Sequence, residues 1–226
     1  MSNAKPCFTY FAGRGLAEVT RLALNAAKIE YDEVYLQTRE EFLQLIADGK
    51  LMFKQVPLLE IDGENVIGSE PVLRYVCRKY NFKAKSPEDQ VKVDMLSMGA
   101  RDMLRSGFSA AHFQKTREEQ ETTLQGAVKQ CKNRYFPVFE KILGESKSGF
   151  LVGDSLTMAD FMFFDGLSYV NEIPRIKPLL DDFPNLQKYI VHFSNQPGLK
   201  EYLCSSRRHP PPDDEYVRVV NLVLDW

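Results

Sequence analysis

Long apolar runs are missing from this 226-residue sequence. None approaches the roughly 18 residues of a membrane-crossing helix, so no membrane association is expected. The start, Met1-Ser2-Asn3-Ala4-Lys5-Pro6, has no apolar core behind a basic segment. A secretory leader is therefore not expected, and the cytoplasm is the default. Neither sign of charge dominates: 29 Lys and Arg face 31 Asp and Glu, a net charge of −2. That balance lacks the electrostatic footprint of a nucleic-acid binder. Cysteine is scarce and scattered, at Cys7, Cys77, Cys131 and Cys204, with no C-x-x-C. His112, His192 and His209 lie equally far apart. Such spacing offers neither a zinc site nor a redox pair; it reads as free thiols in a reducing compartment, with no metal. Gly13-Arg14-Gly15 follows a strand, but Glu18 stands where a dinucleotide fingerprint needs its third glycine. Walker, H-E-x-x-H and G-x-S-x-G motifs are absent as well.

What is present is a change of period. Cys7 to Phe11 is short and β-rich, and Leu16, Val19, Leu22, Ala23, Ala26 and Ala27 then recur at helical spacing. Tyr31 to Leu36 reads as a strand, Glu40 to Ala47 as a helix ended by Asp48-Gly49. Val56 to Ile61, Asp62-Gly63 and Asn65 to Ile67 form a hairpin signal. Ser69-Glu70-Pro71 opens another helix, with Ser69 as its cap. The order β-α-β-α-β-β-α predicts a compact α/β domain over residues 1–83. Beyond a linker at 81–87, strand signal vanishes. Long helices are expected over 88–114 and 117–143, the second kinked by Pro137. The capping box Thr157-x-x-Asp160 starts a helix over 158–172. Shorter helices at 186–193 and 198–203 precede a break at His209-Pro210-Pro211-Pro212 and a last helix over 213–226. Residues 84–226 thus read as an all-helical domain.

Several side chains carry chemistry in more than one reading. Tyr10 and Phe11 end the first strand, where a tyrosine either packs or offers its hydroxyl beside a helix start that favours anions. Ser69 is a helix cap or a carboxylate holder. Asp102 puts a carboxylate on the otherwise apolar row Val91, Met95, Met98; Arg101 or Arg105 satisfies it, or a ligand or partner does. Phe53, among apolar residues in a loop, is a locally packed ring or a contact for another chain. The C-terminal stripe of Tyr216, Val219, Val220 and Val223, widened by Val217, Leu222 and Leu224, either docks on a core or covers a pocket.

A family resemblance joins these features. Tyr10-Phe11-x-x-Arg14-Gly15, Leu51-Met52-Phe53-Lys54-Gln55-Val56-Pro57, Glu60-Ile61-Asp62-Gly63, Lys132-Asn133-Arg134-Tyr135-Phe136-Pro137 and Phe150-Leu151-Val152-Gly153 stand in the order and spacing of cytosolic glutathione S-transferases. The chain most resembles the alpha class. The resemblance implies a thioredoxin-like N-terminal domain, an all-α C-terminal domain and a cytoplasmic homodimer. Glutathione is the implied co-substrate, its thiolate conjugated to hydrophobic electrophiles, with hydroperoxide reduction as a second activity. Tyr10 and Arg14 match the catalytic positions. Tyr10, Gln55, Val56, Pro57, Gly68 and Ser69 match glutathione contacts, Val56-Pro57 as the cis-proline turn, and Asp102 and Arg134 match residues presented by the neighbouring subunit. Phe11, Phe108, Tyr216, Val217, Val220 and Leu224 are the implied acceptor-site residues, with the C-terminal helix as lid and Phe53 as dimer key. Three positions depart from the alpha pattern: Leu16 replaces an arginine near the sulfur, Ile46 a basic carboxylate clamp, and Gly68 a glutamine. Those departures leave three alternatives on the same fold: a non-catalytic carrier of apolar ligands, a crystallin-like structural protein, or a glutathione-dependent isomerase.

Overall fold

The computed structural model describes residues 4–173 and 179–225, without the side chain of residue 109. Trp226, the only tryptophan in the sequence, lies outside the described residues. The chain forms two compact units. One holds everything up to Val76 together with the stretch from Glu201 onward; the other is Cys77–Lys200. The last helix, grouped by sequence with the helical domain, thus falls in the compact unit that holds the sheet.

In the first unit, β1 (Cys7–Tyr10), α1 (Glu18–Ala26), β2 (Asp32–Tyr35), α2 (Arg39–Ala47), β3 (Leu58–Ile61), β4 (Glu64–Ile67) and α3 (Ser69–Lys79) follow in the expected order. The sheet runs β2-β1-β3-β4. β1 pairs with β2 in parallel and with β3 antiparallel, at Thr9 opposite Leu58; β3 and β4 form the hairpin. Phe8, Leu58 and Leu59 are fully buried, as expected of central strands covered on both faces. One cap differs from expectation. Ser69 is the first residue of α3 rather than its cap, because Gly68, at φ 85°, turns the chain and accepts the Val72 amide at 3.0 Å.

The second unit holds α4 (Pro87–Arg105), α5 (Phe108–Ala111), α6 (Arg117–Gln130), α7 (Phe136–Glu145), α8 (Met158–Glu172) and α9 (Pro184–Ser194), and the boundary between the units falls within α10 (Leu199–Leu203). The helix expected over 88–114 is interrupted at Ser106-Gly107. Gly107 has φ 141°, a conformation that favours glycine, and a Cβ there would be crowded at 3.1 Å by the Ala127 Cβ and the Thr123 carbonyl of α6. The helix expected over 117–143 contains a π-helical turn at Cys131–Tyr135, in which the Phe136 amide bonds back to the Cys131 carbonyl. Pro137 accounts for this turn: it lacks a donor and would crowd the carbonyl of residue 133 in an α-helix, and the wider turn eases that crowding. Around α8, Phe139 stacks on Phe163 at 3.8 Å and Phe164 on Phe193 at 4.1 Å.

α11 (Asp214–Leu224) closes the chain, packed against α2 through a face that buries Val220 and Val223.

Candidate functional site around Tyr10

Tyr10 is buried at the carboxyl end of β1, with its ring edge-on to Phe11 at 5.0 Å. The chain then turns through Gly13, Arg14 and Gly15 into α1. No side chain caps α1 at Ala17. Instead the Leu16 backbone N–H, just before the helix start, donates to the Tyr10 hydroxyl oxygen at 3.0 Å. A helix start carries orphan donors and partial positive charge. Here one such donor is spent on the phenol oxygen, which polarises the O–H and strengthens it as a donor to an anion.

The turn is held from behind by Arg21, whose side chain is fully buried. Its Nη1 donates to the Gly13 carbonyl at 2.7 Å, its Nη2 to the Phe11 carbonyl at 3.4 Å and its Nε to Glu33 at 2.5 Å. Glu18 lies 3.5 Å away on the same helix. Burial alone would weaken the hold of this guanidinium on its proton; Glu33 and Glu18 more than offset that, and the net shift is upward. Glu18 also accepts from the Tyr202 hydroxyl at 2.9 Å and pairs with Arg208 at 3.6 Å. Burial, and then the Glu18 charge, push the Tyr202 pKa up, so Tyr202 stays a neutral donor. Arg14, also buried, donates from Nε to the His209 carbonyl at 2.6 Å. The segment 202–209 is thereby keyed to the turn that carries Leu16.

Beyond the proline break, α11 brings Tyr216 onto the same turn. Its ring is edge-on to Phe11 at 6.4 Å and lies against Gly13, where any Cβ would overlap it. At Gly15, with φ 41°, a Cβ would collide with the Tyr10 and the Tyr216 hydroxyls alike. Two phenols therefore converge on one glycine, and only glycine leaves them room. Beside them opens a cavity of about 450 Å³, bounded by Phe11, Ala12, Leu36, Gln37 and Thr38 on one side and by Asp213, Glu215, Tyr216, Arg218 and Val219 on the other.

On the far side of β1, the Val56–Pro57 peptide is cis, and the Pro57 carbonyl accepts from the Gly68 amide at 2.9 Å. A Cβ at Gly68 would lie 3.6 Å from the Gln55 Nε2, so Gln55, Pro57, Gly68 and Ser69 form one local group. Val217 and Leu224 are half-buried, whereas Val220 faces inward from α11. Ile46 is half-buried on α2, and the Leu16 side chain is exposed. Phe108, Asp102 and Arg134 belong to the second unit. Phe108 is fully buried there, Asp102 is exposed with Arg101 at 3.7 Å, and Arg134 lies 5.1 Å from the Tyr135 ring on the π-helical turn. Phe53 and Met52 are exposed at 71% and 79%, and so are Val91, Met95 and Met98 along α4. The row expected from helical spacing thus faces outward. Among the described residues no group of three or more His, Cys, Asp or Glu side chains is placed to hold a metal.

A tyrosine hydroxyl held by a backbone amide and a cis-proline turn on a β-α-β-α-β-β-α domain mark a thioredoxin-like unit. Comparison with known proteins agrees. The N-terminal domain model of glutathione S-transferases matches residues 6–78, and the C-terminal domain model matches residues 101–206. Among curated relatives, glutathione S-transferase alpha-4 of Rattus norvegicus is 42% identical, covering 98% of this chain and 99% of its own. Glutathione S-transferase A4 of Mus musculus is 41% identical over 99% of both. Among solved structures, the Ascaris lumbricoides enzyme superposes with a TM-score of 0.79 at 29% identity, covering 92% of this chain and 100% of that one. A monomeric glutathione S-transferase of the hookworm Necator americanus gives 0.76 at 28%, with 93% and 100% covered. The chain belongs to the glutathione S-transferase family. It is an enzyme that conjugates glutathione, on a thioredoxin-like domain joined to a helical one.

Proposed function

We propose that glutathione lies along the Val56–Pro57 turn with Gln55, Gly68 and Ser69 around its γ-glutamyl end, and that its sulfur meets the Tyr10 hydroxyl. The observation that carries this reading is the 3.0 Å bond from the Leu16 amide to the Tyr10 oxygen. With its oxygen accepting that amide, the phenol O–H is polarised as a donor to the thiolate. Lowering a thiol pKa by about two units takes roughly 2.7 kcal/mol, within reach of a charge-assisted hydrogen bond aided by a helix start. The thiol proton leaves to water, the sulfur lone pair forms the new C–S bond, and the electrophile releases its leaving group or takes up a proton. The acceptor enters the cavity bounded by Phe11, Leu36, Tyr216 and Val219. Its walls mix these apolar side chains with Gln37, Thr38, Asp213, Glu215 and Arg218, and the Tyr216 hydroxyl offers a donor to an oxygen on the electrophile. Reduction of hydroperoxides by the same thiolate is the second activity.

The protein acts as a cytoplasmic homodimer in this reading. The exposed Phe53 and the outward apolar row of α4 support a second copy, since burying one such ring is worth about 1.5–3 kcal/mol. Asp102 and Arg134 then complete the site of the neighbouring subunit.

Turnover with glutathione against a panel of electrophiles and hydroperoxides tests the reading. Tyr10→Phe keeps the ring and is expected to lower conjugation at least tenfold with glutathione still bound; unchanged turnover on a chemically limited substrate removes Tyr10 from the mechanism. Phe53→Ala is expected to shift sedimentation toward monomer and to weaken glutathione binding. A wild-type monomer with full activity would overturn the shared site.

A further inference from the structure

An eleven-residue helix such as α11 is too short to hold itself in water and depends on what fastens its ends. Its N-terminal end is closed from within, by the Asp213 carboxylate accepting the Tyr216 amide at 2.8 Å. Its C-terminal end is closed from α2. The Nη1 of Arg39 donates to the Val223 carbonyl at 3.0 Å, and its Nη2 lies 3.2 Å from the Asp225 carboxylate. Asp225, at φ 61°, is the left-handed residue that ends the helix. A cation and a donor thus sit where a helix has partial negative charge and orphan carbonyls.

Arg39 is the first residue of its own helix, where a positive charge opposes the dipole. α2 tolerates it through a capping box between Thr38 and Glu41 and acidic residues in the first turn. A residue locally unfavourable in its own element is best explained by what it does elsewhere. The three residues before it, Leu36, Gln37 and Thr38, form one wall of the 450 Å³ cavity, and α11 forms the other with Tyr216 and Val219. The start of α2 therefore builds one wall and fastens the opposite one.

We propose that Arg39 is a positioning residue for the acceptor site: its grip on the last turn of α11 sets how firmly Tyr216 is held over Gly13 and the Tyr10 hydroxyl, and so sets acceptor affinity and conjugate release. This rests on the cavity being the acceptor site. When Arg39 lets go, the helix end frays, Tyr216 spends less time over the turn, and the acceptor loses its second wall.

Arg39→Ala and the charge exchange Arg39→Asp with Asp225→Arg in the full-length protein test it. In Arg39→Ala, amide hydrogen exchange across 217–224 is expected to quicken about three- to tenfold, the range for a helix-end cation with one exposed ion pair. The acceptor KM and the conjugate dissociation rate are expected to rise by a similar factor, with the glutathione KM and the melting temperature unchanged. The exchanged pair is expected to restore part of the loss, since each helix then carries the charge its end prefers. Unchanged exchange in Arg39→Ala overturns the grip itself. Faster exchange with unaltered acceptor kinetics overturns the assignment of the cavity, and Arg39's role there with it. An equal rise in both KM values, or a general fall in melting temperature, reduces Arg39 to packing and overturns the proposal.

Discussion

Asp160 in the helical unit and Arg21 in the sheet unit are both fully shut off from water, and they are satisfied in opposite ways. Asp160 collects neutral donors. The Leu151 and Thr157 amides reach it at 3.0 and 2.9 Å, and the Thr157 and Tyr189 hydroxyls at 2.8 and 3.3 Å. Burial pushes its pKa up to about 6 against the pull of those four bonds. Its partners come from its own helix start, the loop before it and α9. Arg21 instead is matched by charge, with Glu33 and Glu18, and spends its other N–H groups on the carbonyls of Phe11 and Gly13. One cluster ties helices to each other. The other fixes the backbone turn that presents an amide to Tyr10. Burial works against the charged form in both places; at Arg21 the two glutamates outweigh it, and at Asp160 the neutral donors do not.

The largest effects are expected from breaking each cluster in turn. Asp160→Ala strands two amides and the Thr157 hydroxyl, while Tyr189 keeps its 3.1 Å bond to the Asp160 carbonyl; Arg21→Met takes the guanidinium from Glu33 and leaves buried Glu18 to Arg208 at 3.6 Å. Each is expected to cost about 3–5 kcal/mol in urea denaturation, as for other broken buried charge sites. Activity per folded molecule separates them. Asp160→Asn, which keeps the shape, is expected to leave kcat intact in the folded fraction. Arg21→Lys keeps the charge but loses the fork that spans both carbonyls, so kcat is expected to fall with the glutathione KM little changed. Equal kcat losses in the two conservative variants would erase the distinction.

The difference also explains what could be read in advance. The Asp160 cluster announces itself locally, since Thr157-x-x-Asp160 before an apolar run is a capping box whatever the tertiary fold. The α/β order and the resemblance at Tyr10 and Val56-Pro57 were legible for the same reason: short spacings carry them. Arg21 was not legible. A glutamate and an arginine three apart on a helix read as a solvated ion pair, and only the fold reveals that this face of α1 is buried under segment 202–209. The Arg39 contact spans 184 residues to Val223 and leaves no mark in either local pattern. The break at Ser106-Gly107 was missed because a lone glycine in a helical pattern is commonly tolerated; here the φ of 141° favours glycine and Thr123 and Ala127 would crowd any Cβ.

The smallest expected effect concerns pH, and it sharpens the comparison because the two regions respond with opposite sign. His209 is half-buried against Tyr35, with its Nε2 3.2 Å from the Tyr35 hydroxyl and the rings edge-on. Burial, then the charges of Arg21 and Arg14, lower its pKa, and Glu33 opposes them. The folded state thus prefers neutral histidine. Its stabilising effect is complete above the unfolded value of about 6.5 and is lost as pH falls through the lower folded value. Asp160 runs the other way. Its raised pKa means that stability from the protonated form is present below the unfolded value of about 3.9 and is lost as pH rises through about 6. Between pH 4 and 6.5 the two contributions partly cancel in the wild type. His209→Gln keeps the backbone carbonyl that Arg14 holds and removes the titration, so its melting temperature is expected to fall less than wild type on acidification. Asp160→Asn is expected to fall more. Amide exchange over residues 205–213 is expected to quicken at pH 5.5 relative to pH 7.5, after correction for intrinsic rates, in wild type and not in His209→Gln. If His209→Gln tracks the wild type at every pH, the histidine is a spacer between Tyr35 and Arg14, and the acid response of the sheet unit lies elsewhere.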